Sequence, residues 1–97
     1  MTTADLARSA QTDDSPPAGI TSAQKALWLV KAGRWHDSHE LCNDIPGTAG
    51  SWIHAYLHRE EGDLGNASYW YHRAEKDVPS QNLSLEDEWA QITSALA

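Results

Sequence analysis

Apolar positions in this chain recur every three or four residues and never alternate one by one, so the pattern predicts helices throughout and an all-α fold. The first clear stripe is Ala23, Ala26, Leu27 and Val30. It opens at Thr21, with Gln24 three residues on in capping-box spacing, and stops at Gly33. A second helix is expected from Trp35 or Asp37 to Asn43, with Ser38, Leu41, Cys42 and Ile45 on its apolar face. Pro46-Gly47 ends it, and Gly47 to Gly50 reads as a short loop. A third runs from about Ser51 to Glu61 and carries Trp52, Ala55, Tyr56 and Arg59 at helical spacing. After a turn at Gly62-Asp63, where Asp63 can cap the next helix, a fourth covers Leu64 to Lys76. Its inner face is Ala67, Trp70, Tyr71 and Ala74, and Val78-Pro79 ends it. Ser84 with Asp87 opens a last helix to about Leu96, with Leu85, Trp89, Ile92 and Leu96 on one side. Residues 1–20 are polar and close on Asp13-Asp14-Ser15-Pro16-Pro17-Ala18-Gly19, so they read as a flexible tail in which Thr3 to Gln11 form at most a transient turn. The domain proper is then 21–97.

A repeat links the middle helices. Gly33, Trp35, Ser38, Cys42 and Ile45 align with Gly62, Leu64, Ala67, Tyr71 and Ala74 at an offset of about 29 residues, a period typical of stacked helical hairpins. In the second unit, Gly62, Asp63, Leu64, Ala67, Tyr71, Ala74 and Pro79 resemble the tetratricopeptide repeat: turn glycine, large apolar residue, small alanine, aromatic, alanine and closing proline. Trp52 looks like the repeat's opening tryptophan, one residue out of register. The first unit departs further, with Ser38 for the alanine and Cys42 for the aromatic. The resemblance spans about residues 22–79. It implies two antiparallel hairpins closed by the last helix as a cap, and a non-catalytic scaffold for protein–protein recognition through a helical groove. It brings no catalytic residues with it.

Composition narrows the partners. The 97 residues carry a formal net charge of −7, which disfavours a nucleic-acid backbone or an anionic membrane surface and leaves a protein partner as the expectation. Apolar residues make up 40 % of the chain, within the range of folded domains. Cys42 is the single cysteine, so no internal disulfide is expected. With no apolar run of membrane-spanning length and no leader-like start, a cytoplasmic protein, monomer or homodimer, is the expectation.

Two sets of residues could carry function. A groove contributed by the third helix would present Trp52, His54, Tyr56, His58 and Arg59 to a partner. Alternatively, the histidines could hold zinc or another divalent transition metal. His54 and His58 are four apart, His36 and His39 three apart, and His72 lies on the next helix. Such spacings put two imidazoles on one helical face. The His54–His58 pair lacks the glutamate of a metalloprotease helix, which also argues against an enzyme. Cys42 lies one turn after His39, but its place in the repeat is a core position, and buried cysteine usually serves as a small hydrophobe. The acidic groups Glu60-Glu61 and Glu86-Asp87-Glu88 read as solvated faces.

Overall fold

A computed structural model describes residues 1–96. In that span the chain forms six helices: α1 (Thr3–Thr12), α2 (Ser22–Lys31), α3 (Trp35–Cys42), α4 (Gly47–Glu61), α5 (Leu64–Arg73) and α6 (Leu85–Ala95). The all-α expectation holds, with no strand among the described residues. The helix starts follow side-chain chemistry. Thr21 and Gln24 form a complete capping box at α2, Asp63 accepts from the Asn66 amide at α5, and Ser84 accepts from the Asp87 amide at α6.

Three helices end in one way. At Gly33 and Gly62 the backbone turns left-handed, with φ of 82° and 90°, and the following amide bonds back to the carbonyl of Leu29 or His58. This is the Schellman closure, for which glycine carries the least strain. α5 uses the same closure at Glu75, φ 59°, where the Lys76 amide reaches the Tyr71 carbonyl. That stops α5 at Arg73, short of the expected Lys76. The correction at α4 runs the other way: the helix begins at Gly47, not Ser51. Glycine is a poor helix former, but here tertiary packing overrides propensity. A Cβ on Gly50 would be driven into the Ile45 carbonyl, so the first turn of α4 packs closely on the chain entering it.

α2 packs against α3, and α4 against α5, as two hairpins with α6 across them. α4 is the central element: every side chain from Ile53 to His58 is buried. One side of it joins a main core with Leu6, Ala26 to Val30, Cys42, Trp89 and Ile92. The other meets α5 in a smaller cluster of Ala55, Ala67 and Tyr71, flanked by Trp52 and Trp70. Indole N–H groups tie the helices together. Trp89 Nε1 donates to the Leu27 carbonyl at 2.9 Å, and Trp35 Nε1 to the Leu57 carbonyl at 2.9 Å. Ser38 Oγ donates to the Ala26 carbonyl at 2.7 Å, where the α2–α3 crossing is tight.

The expected flexible tail over 1–20 is corrected. Thr2 and Asp5 form a capping box, and α1 lies on the main core with Leu6 1 % exposed. Ser9 Oγ accepts from Trp28 Nε1 at 3.1 Å, which gives that buried indole its partner. No helix among the described residues is long and apolar enough to cross a membrane.

Candidate metal centre

α4 places His54 and His58 one turn apart on the same side, and α3 brings His39 against them. The ring centroids are 4.8 Å apart for His39–His54, 5.4 Å for His39–His58 and 6.0 Å for His54–His58. One nitrogen from each ring falls within 4.8 Å of the others. An ion bound at 2.0–2.1 Å from each would hold the nitrogens roughly 3.3 Å apart.

Indoles flank the cluster. Trp35, anchored through Leu57, stacks on His39 at 4.9 Å with the planes 10° apart, and Trp70 stacks on His54 at 4.1 Å and 11°. Burial between these rings pushes the His54 pKa down to about 4, reinforced by the charges that protonated His39 and His58 would carry and by Arg73. His39 is also lowered, first by burial and then by His58. Both are therefore neutral imidazoles at pH 7, the form that binds metal. His58 Nδ1 lies 2.7 Å from Glu61 Oε2. When Nδ1–H donates to that carboxylate, Nε2 is left with its lone pair. This is the outer-shell carboxylate that orients a ligating histidine.

The structure separates the expected ligands. His39, His54 and His58 come together, while His36 and His72 are exposed and stand outside the group. His36 meets the edge of Trp35, at 5.4 Å. A second acidic group, His58 with Glu61 and Asp63, adjoins the cluster but is exposed at both carboxylates. Cys42 is buried in the main core. Its Sγ donates to the His39 carbonyl at 3.2 Å, and burial pushes its pKa up to about 12.

The expected partner groove is corrected at its core. Tyr56 is 4 % exposed, and His54 and His58 are buried as well, so these side chains line the interior because α4 is covered on both sides. Arg59 is turned inward: it donates to Glu88 Oε1 at 2.9 Å and to the Leu83 carbonyl. Trp52 is half-buried beneath the Lys76 ammonium, 4.3 Å from its ring centroid.

Two carboxylates expected on solvated faces also have other roles. Glu61 partners His58. Glu88 is 2 % exposed, paired with Arg59 and accepting from Tyr71 Oη at 2.5 Å. The signal for Glu88 is its spacing, since with Leu85, Trp89 and Ile92 it completes an i, i+3, i+4, i+7 stripe. No protein-family model, curated protein or solved structure matches the chain.

Proposed function

We propose that the protein binds a divalent transition metal, zinc being the reference case, through His39, His54 and His58. The observation that carries this reading is the grouping of three imidazole nitrogens from two helices, His54 and His58 buried and His39 half-buried, with Glu61 behind one of them. An all-nitrogen set suits zinc, nickel or copper over magnesium or calcium, which take oxygen ligands.

The test is a thermal melt in EDTA against added Zn(II), with calorimetry for affinity. Ligand at 100 times Kd adds about 2.7 kcal/mol to stability, so a rise of several degrees is expected. His39→Ala, His54→Ala and His58→Ala should each remove the rise, while His36→Ala and His72→Ala retain it. Equal shifts in all five variants would sink the proposal.

A second reading has its own support. The hairpins α2–α3 and α4–α5, with Ala67 packed on Ala55 beside Tyr71, favour a tetratricopeptide-like scaffold for protein–protein assembly, cytoplasmic and monomeric or dimeric. Co-purification of a stoichiometric protein partner, unchanged by EDTA and by His54→Ala, would put the scaffold reading first.

A further inference from the structure

Beside the metal cluster, a cleft of about 220 Å³ opens between the start of α4 and the last turn of α5. It shares His54 with that cluster. Of its ten lining residues none is acidic, in a chain with 14 acidic and 7 basic residues. Three hydrogen-bond-donating features meet in it.

First, the 15-residue α4 begins here at Pro46 and Gly47 with no side-chain cap. Gly47, the first residue of the helix, lines the cleft, and its amide lies at the positive end of the helix dipole. Second, Arg73 lines the cleft. Its guanidinium lies over Trp70 at 5.2 Å and is steadied by Tyr69 Oη, to which Nη1 donates at 3.0 Å. It makes no ion pair among the described residues. Third, His54 is 4 % exposed, makes no hydrogen bond among the described residues, and lines the same cleft. No fully buried side-chain nitrogen or oxygen among the described residues lacks a partner, so the His54 nitrogens keep an accessible edge. A buried imidazole without a partner, lining a cavity with a guanidinium and the Gly47 amide, is arranged for an acceptor.

We infer that this cleft binds a small oxyanion of the phosphate class, held by the Gly47 amide, the Arg73 guanidinium and the His54 ring. The volume suits a tetrahedral anion with its waters and is below that of drug-sized ligand sites. Gly50 contributes as well: its missing side chain lets the first turn of α4 close on Ile45 and form one wall.

The experiment uses the full chain in EDTA at pH 7, titrated with inorganic phosphate at ionic strength held constant with chloride. Trp70, which stacks on His54 and lines the cleft, reports by fluorescence, and calorimetry gives the affinity. A saturable signal is expected, weakened about tenfold or more in Arg73→Gln, the loss of one charge-assisted contact. Lys76→Gln, which removes a positive charge outside the cleft lining, should bind within about twofold of the parent. Arg73 is exposed, so its variant folds, and circular dichroism checks that. A phosphate response that chloride reproduces, or equal affinity in Arg73→Gln, overturns the inference. Because the sample is metal-free, failure of the zinc proposal leaves this result standing, and the reverse also holds.

Discussion

At the residue scale, the histidine cluster links stability to pH. The ordinary histidine value is 6.5, and folded His54 titrates near 4. Between those values the unfolded chain holds a proton that the folded one refuses. The stability due to the neutral ring is therefore complete above about 6.5 and is lost as pH falls toward 4. His39 adds to the same loss, since its value is lowered in the same direction. Arg73 reinforces the effect at His54, while Glu61 opposes it at His39. Urea midpoints of the metal-free protein should fall between pH 7 and pH 4.5, and His54→Gln should flatten that dependence. An unchanged slope in the variant would mean the titration lies elsewhere. The same scale gives Glu61 its role. Glu61→Gln keeps a hydrogen-bonding group but removes the charge behind His58, so zinc affinity should drop about tenfold or more while the apo melt changes little. Calorimetry on both proteins reads the difference.

At the scale of the element, the repeated helix closure makes Glu75 stand out. Gly33 and Gly62 occupy the left-handed position without strain, whereas a side chain there costs about 1–2 kcal/mol. Glycine also loosens the unfolded chain, which returns roughly half of that. Glu75→Gly should then stabilise by about 0.5–1 kcal/mol, a rise of several degrees in Tm for a domain of this size. A fall in Tm would show that the Glu75 side chain contributes to the fold in some other way. The elements are largely legible in the sequence wherever caps and stripes agree, as at Thr21, Asp63 and Ser84. Legibility fails where packing outweighs propensity: the glycine-rich start of α4 reads as a loop, and Glu75 gives no sign of being able to end α5.

For the whole molecule, the largest departure is α1. Its capping pair Thr2 and Asp5 is present in the sequence, but Leu6 is its one large apolar residue, too little to predict docking. The docking comes from the far side, where Trp28 needs a hydrogen-bond partner and Leu6 fills the core beside it. Leu6→Ala should therefore cost about 2–5 kcal/mol, as for any core leucine. A true tail residue would change the denaturation midpoint by almost nothing. The metal cluster shows the same boundary of legibility. Spacing alone pairs His54 with His58, but the third member depends on how α3 lies on α4, and local periodicity favours His36 with His39 instead.

The hydrogen bond from Trp89 to the Leu27 carbonyl bridges 62 residues, unlike the contacts within the two hairpins. In kinetic terms this separates early structure from late. Hairpins of neighbouring helices close over short loops and form quickly, whereas α6 can settle only on a surface that α2 and α4 have already made. Truncating Trp89 should therefore leave the folding rate nearly unchanged and accelerate unfolding, with a φ-value near zero. Substitutions at the α4–α5 crossing should slow folding itself. Of the two ends of the fold, the α6 seam sets how long the native state lasts and the hairpins set how soon it appears.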